Sequence, residues 1–364
     1  KVINVFRLHF LVPHKKETQA EFCKQKINFM KKNFIFLLTG LFVFNISFAK
    51  IWRINNTGVP ADFTTAQAAH DAAGVANGDT LHFEPSGTGY GNLSLTKRLI
   101  IIGNGYFLGS AATFSNPNLQ ANPASSSIGD IYIYTGGSNS VIMGMTFSNA
   151  YIGYTTPVNN LLFRRNRVTN LLYFYNGGSS NVQVMQCYID GAVAQTATHN
   201  NVFLSNNIIL QGVSFDANDD GTFQNNVVHA SGLGYATAFT NFVLRSNIMV
   251  AGTLSLTTCT SEFNLGNSTQ FGTSSGNQSN INMANVFAEY PTLATNSYDG
   301  RFALKAGSPA IAAGFGSVDC GAYGNIPAYV KSGMPDVPSI YKLSVPPIVT
   351  NNVLSVIVST KINN

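Results

Sequence analysis

From Ser138 to Asn267 the chain repeats itself, and the period is short enough to leave few folds open. Aligned on one polar residue per unit, the repeat runs Asn139, Asn160, Asn181, Asn201, Asp220, Asn241 and Glu262, with steps of 21, 21, 20, 19, 21 and 21 residues. A period near twenty is too short for a helix pair or a propeller blade. It fits a solenoid in which each turn is one coil of short strands. Six residues past each anchor stands a second column, Met145, Asn166, Cys187, Asn207, Asn226, Asn247 and Ser268, of whose seven members four are asparagine.

The remaining columns say how each coil is built. Leu161, Val182, Val202 and Phe242 lie one past the anchor, Ile142, Phe163, Val184, Leu204, Phe223 and Leu244 three past, and Phe147, Val168, Ile189, Ile209, Val228 and Met249 eight past. The column four past is mixed: Met143, Arg164, Met185, Ser205, Gln224, Arg245 and Leu265. This is period-two alternation in two short strands separated by a tight turn. The asparagine six past the anchor falls at that turn, where it is expected to take the left-handed conformation that Asn tolerates best after Gly. Its amide then bonds the next coil, giving a ladder with about 4.8 Å between rungs. The expected fold is all-β, a right-handed single-stranded parallel β-helix with an asparagine ladder.

The flanks read as a start, a plug and a tail. The first methionine is Met30, followed by Lys31, Lys32, an apolar run from Phe34 to Phe44 and the small-x-small pattern Ser47-Phe48-Ala49. Residues 30–49 read as a secretory signal peptide, too short for a membrane span, and residues 1–29 as an upstream extension. The leader carries eight of the 21 basic and two of the 16 acidic residues, so the chain from Lys50 onward has 13 basic and 14 acidic residues and a net charge of −1 instead of +5. A chain so balanced offers no basic face for nucleic acid. Cys187, Cys259 and Cys320 show no paired spacing, so no disulfide framework is expected. Asp62 is expected to cap a helix from Phe63 to Ala73 that plugs the open end of the solenoid. The β-helix domain is assigned to residues 50–332. A Pro-rich tail over 333–364 carries Pro335, Pro338, Pro346 and Pro347, with one strand from Asn352 to Thr360.

Several stretches carry a family resemblance. Ala69 to Ala73, Gly78-Asp79-Thr80-Leu81, Pro85-Ser86-Gly87-Thr88-Gly89-Tyr90 and Leu93 to Gly103 resemble the opening of secreted right-handed parallel β-helix proteins of the pectin-lyase-like superfamily. Gly307-Ser308-Pro309-Ala310-Ile311 with Asp319-Cys320-Gly321-Ala322-Tyr323-Gly324 is similar to the closing segment of many bacterial members. The resemblance spans Ile51 to about Tyr323 and implies the fold. It does not imply one activity, because members include polysaccharide lyases, glycoside hydrolases, carbohydrate binders and surface proteins.

In such a fold, side chains at one phase of neighbouring coils stand side by side, so a site is a column. Arg164, Arg165 and Arg167 precede the coil of Asp190. Asp190 and His229 share the phase nine past the anchor, on the order of 9–10 Å apart, a span that flanks a sugar ring. These five are the catalytic candidates, and an arginine beside a carboxylate suits an acidic glycan. Of the motifs that galacturonan hydrolases of this fold share, only the doublet Asp219-Asp220 is present. Asp216, Asn218 and Asp220, with Gly221 after them, fit the opening of a calcium loop, although Val227 stands where its last acidic ligand belongs. Fifteen past the anchor lie Tyr154, Tyr175, Thr196, Asp216, Tyr235 and Leu256, with Tyr134 one coil earlier. Facing out, Tyr154, Tyr175 and Tyr235 form a platform for a polysaccharide; facing in, they form an aromatic core stack, which the habit of repeats to stack like residues inside favours. The resulting expectation is a secreted protein that binds extracellular or cell-surface polysaccharide without catalysis. The alternatives are a polysaccharide lyase or glycoside hydrolase acting on an acidic glycan, and a structural or adhesive solenoid that docks a partner through the outward column Ile208, Val227 and Ile248.

Overall fold

The computed structural model describes residues 49–230, 236–325, 327–347 and 353–362. The signal peptide and extension assigned to residues 1–49 lie outside the described residues apart from Ala49, and so does Tyr235. The chain is a parallel β-solenoid. One ten-stranded sheet runs from Ile51–Ile54 through Thr80–Phe83 and Ile100–Ile102, then once per coil to Thr260–Glu262. A second begins at Leu93–Leu95, continues through Ser127–Ile133, Thr146–Ile152 and Arg167–Phe174, and ends at Leu265–Gly266. Short third-side ladders join Val158–Asn159, Ser179–Ser180 and His199–Asn200, and then Thr237–Thr240 and Leu254–Thr257.

The register matches the repeat residue for residue. Ile142, Phe163, Val184, Leu204, Phe223 and Leu244 stand side by side across the first sheet. Phe147, Val168, Ile189, Ile209, Val228 and Met249 do so across the second. Both columns are buried in one continuous core, as period-two alternation around a closed coil requires. The alignment slips only at its last unit. Leu265 pairs with Ile248, which makes Thr258 the anchor in place of Glu262 and shortens that coil to 17 residues.

Buried asparagine amides connect the coils at the turn. The backbone N–H and side-chain amide of Asn207 both donate to Asn226 Oδ1, at 3.0 and 2.9 Å. Asn226 repeats this toward Asn247, Asn247 toward Asn264, and Asn264 toward Asn277. Asn264, not Ser268, carries the column onward, as the corrected alignment demands. The left-handed conformation belongs to the preceding residue: Gly144, Arg165, Gln186, Asn206, Asn225, Ser246 and Phe263 all have φ between 52° and 69°. The laddering amide must point inward to reach its neighbour, so the turn is made one residue earlier, with the left-handed side chain directed outward.

The plug is shorter than expected. The helix α1 spans Ala66–Asp71 and is capped by Thr65, whose Oγ1 accepts from the Ala68 N–H at 3.3 Å. Asp62 instead receives the Arg53 N–H at 2.8 Å. Ala66 and Ala69 are fully buried against the first coil. The tail forms two strands where one was expected, Ser339–Ser344 and Ile357–Lys361, paired antiparallel. Among the described residues no helix is long and apolar enough to cross a membrane.

After the last coil the chain turns back along the solenoid, and the outward left-handed side chains stitch it down. Ser246 Oγ accepts the Phe315 N–H at 2.9 Å, Asn225 donates to the Asp319 carbonyl at 2.9 Å, and Asn206 donates to those of Ala322 and Gly324 at 2.9 and 2.6 Å. Gln186 donates to Ala328, and Arg165 donates to the Met334 carbonyl at 2.9 Å and to Asp336. A left-handed non-glycine residue costs about 1–2 kcal/mol, and at these positions the contacts to the returning segment offset that cost. Beneath it lies a second core in which Tyr188, Ile208, Val227, Ile248 and Leu265 meet Met283, Phe287, Phe302, Cys320 and Tyr329. The column expected to dock a partner therefore faces outward, but the chain's own C-terminal third covers it. At Gly321, with φ +84°, a Cβ would stand 2.7 Å from Ile248 Cδ1, so the backbone lies directly on the column.

Candidate functional site

Upstream of the covered column, the outer face of the second sheet carries a cluster of tyrosines. In Ser127–Ile133, Thr146–Ile152 and Arg167–Phe174, Ile131, Ile133, Ala150, Ile152, Leu172 and Phe174 point inward and are buried. Alternation therefore sends Tyr132, Tyr151 and Tyr173 outward, and the register places them side by side in three consecutive coils. At the end of each strand Tyr134, Tyr154 and Tyr175 add a second row. All six are half-buried.

The rings form one packed array. Tyr132 and Tyr151 are parallel within 3° at 5.1 Å, and Tyr154 and Tyr175 within 14° at 5.1 Å. Across the rows the contacts are edge-to-face, with Tyr132 to Tyr154 at 4.7 Å, Tyr151 to Tyr175 at 5.8 Å and Tyr173 to Tyr175 at 5.0 Å. Parallel rings at that separation are offset, not sandwiched, so part of each face stays uncovered. Polar groups line the adjacent edge. Asn170 donates to Asn149 Oδ1 at 2.8 Å, Asn149 donates to Asp130 Oδ1 at 2.8 Å, and the Tyr132 hydroxyl donates to Asp130 Oδ2 at 3.1 Å. Burial and the neighbouring Asp130 carboxylate push the Tyr132 phenol up to about 12, so it remains a neutral donor. At the same phase the coils on either side carry Ser94 and Ala194, which leaves the ends of the array unobstructed.

Tyr154 and Tyr175 thus face outward, contrary to the core stack that like-with-like stacking favours. The other row, Tyr132, Tyr151 and Tyr173, lies two or three residues before the predicted one. The alternation Ile131-Tyr132-Ile133-Tyr134 and Leu172-Tyr173-Phe174-Tyr175 was the signal for it.

The structure distributes the other candidates elsewhere. Arg164 and Arg165 both pair with Asp336 on the returning segment. Arg167 holds Asp190 in two hydrogen bonds, at 2.7 and 3.1 Å, with its guanidinium 4.4 Å above the Phe107 ring. His229 follows Asp190 in the same column, but lies edge-on to Tyr290 and Phe302 at 5.9 and 6.1 Å, and burial lowers its pKa. Asp190 and His229 share no contact. In the acidic loop, Asp216 Oδ1 accepts the Asn218 N–H at 2.9 Å and Asp220 Oδ1 the Asn201 N–H at 2.6 Å. The buried Asp219 takes those of Asp216 and His199, and burial raises it to about 6. These carboxylates serve backbone turns, and among the described residues no three His, Cys, Asp or Glu side chains converge on a metal position. Cys187, Cys259 and Cys320 are free thiols, and burial pushes Cys187 up to about 12. A shallow groove lined by Asn181, Gln183, Asn201 and Phe203 lies on the outer face of the first sheet. Comparison with family models, with curated proteins and with solved structures found no match.

Proposed function

We propose that this chain is a secreted parallel β-helix of the pectin-lyase-like kind that binds an extracellular or cell-surface polysaccharide through its tyrosine face, without cleaving it. The observation that carries the reading is the outward array of six tyrosines on three successive coils. Sugars present apolar C–H faces ringed by hydroxyls, and half-exposed tyrosines answer both, with ring faces for the first and phenol and amide groups for the second. An array packed ring against ring on paired strands is also preorganised, so little ordering cost falls on the protein when a glycan lands. Catalysis finds less support. General acid–base cleavage needs two groups on one sugar bond, and among the described residues Arg164, Arg165, Arg167 and Asp190 are engaged with carboxylate or guanidinium partners. Secretion is supported by the Met30–Ala49 pattern.

The test is affinity electrophoresis of the full chain in gels cast with a panel of neutral and acidic polysaccharides, alongside an assay for unsaturated products and new reducing ends. Retardation by at least one glycan that Tyr151→Ala relieves, with no cleavage, is the expected result. Retardation that the tyrosine variant leaves untouched would overturn the assignment of this face, and cleavage would overturn the non-catalytic reading.

A further inference from the structure

The charge on this face narrows what it accepts. Asp130 sits at the edge of the array, where its two oxygens receive the Tyr132 hydroxyl at 3.1 Å and the Asn149 N–H and amide at 3.2 and 2.8 Å. All three donors are neutral groups, so none of them brings a positive charge to the carboxylate. Among the described residues no lysine, arginine or histidine forms an ion pair with it. The arginines two coils further on are committed elsewhere: Arg164 and Arg165 to Asp336, Arg167 to Asp190. A uronate chain laid across the tyrosines would bring one carboxylate per sugar past an uncompensated anion, whereas hydroxyl groups can donate to it.

From this we propose that the tyrosine face selects neutral, hydroxyl-rich glycans and rejects polyuronates, with Asp130 as the residue that discriminates. The proposal rests on the reading of the tyrosine face as a glycan site. It runs against the expectation of an acidic glycan, which was built on the three arginines. Like charges held within a few ångströms at a half-exposed surface disfavour binding, and they do so less as salt rises, because screening acts over about 10 Å at 0.1 M ionic strength.

Matched glycans test it, since only the charge should differ. Calorimetric titration of the full chain would compare cellohexaose with its C6-oxidised glucuronate hexamer, and fully methyl-esterified hexagalacturonate with the free acid. At least one neutral member is expected to bind tenfold or more tightly than its acidic counterpart. That gap should shrink as salt is raised, and should close in Asp130→Asn by a gain in binding of the acid. Thermal melting of the variant checks that it folds, and the salt series tests the same point on the unaltered chain. Equal binding of both members, or a gap that neither salt nor Asp130→Asn changes, would overturn the proposal while leaving the tyrosine site standing. Binding of no member, with Tyr151→Ala without effect on any glycan tried, would overturn the site itself and the selectivity with it.

Discussion

Two stretches of one sheet's outer surface have opposite fates. In the later coils the outward column Ile208, Val227, Ile248 and Leu265 is sealed under Met283, Phe287, Phe302 and Cys320. In the earlier coils the outward columns are Tyr132, Tyr151 and Tyr173 with Tyr134, Tyr154 and Tyr175, all left half-exposed. Both stretches point side chains outward from one parallel sheet, on strands of seven or eight residues in the early coils and two in the later ones, and the side chains they present differ in kind. Pure hydrocarbon on an outward face must be covered, and the chain supplies its own cover. Tyrosine carries a polar tip and can stay at the surface, which suits it to meet a ligand. The comparison predicts that damage to the sealed stretch shows up in stability, and damage to the open stretch in binding.

The largest effect should come from the sealed column. Ile248→Ala removes a fully buried side chain from beneath Gly321 and should destabilise the chain by about 2–4 kcal/mol in urea unfolding. A loss under about 0.5 kcal/mol would mean the returning segment does not seal this face. Next is the end of that segment. Asp336→Ala leaves the guanidinium of Arg165 in its buried site without its carboxylate, at a cost of about 1–3 kcal/mol. Limited proteolysis should then cut between Phe315 and Asp336 before it cuts any coil.

A smaller effect depends on pH. His229 lies under Tyr290 and Phe302, and its pKa is lowered first by burial and then by Arg301. The folded state therefore binds its proton less readily than the unfolded state does. The stability it permits is complete above the ordinary value of 6.5 and falls away as pH drops through the lowered one. His229→Gln should reduce the loss of urea midpoint between about pH 7.5 and pH 5.5 without abolishing it, because burial lowers His82 and His199 as well. An unchanged pH profile would show that the cover over His229 opens to solvent.

Most of the solenoid was legible in advance because a closed coil imposes its own arithmetic. A residue that faces inward in one unit must do so in the next, so Phe163, Val184 and Leu204 betray both their strand and their register. What failed were features without a period. The 17-residue coil ending at Thr258 broke the count, and Glu262 looked like an anchor because it keeps the older spacing. The returning segment has no repeat at all. Ile248 could be read as outward, but nothing local says that Cys320 and Phe302 come back to cover it. Arg164 and Arg165 looked like catalytic groups for the same reason, since their partner Asp336 is some 170 residues away in sequence. The tyrosines were half-read. The phase fifteen past the anchor was seen, but turns of unequal length hid which way it points, and the strand alternation that fixes Tyr132, Tyr151 and Tyr173 lay outside the aligned columns.

The smallest effect on stability should mark the open face, and it sharpens the contrast most. Tyr173 closes one end of the array, touching Tyr175 at 5.0 Å and Tyr151 at 6.2 Å, with Ala194 beyond it. An aromatic pair at a half-exposed site is worth about 0.5–1.5 kcal/mol, so Tyr173→Ser should shift the urea midpoint far less than Ile248→Ala does. Its effect on glycan affinity should be about tenfold, the equivalent of about 1.4 kcal/mol, whereas Ile248→Ala should leave the affinity of the folded protein unchanged. If Tyr173→Ser lowers stability as much as the core variant and binding not at all, the tyrosines are a structural seam like the column under Gly321. The two stretches would then differ in their cover and not in their purpose.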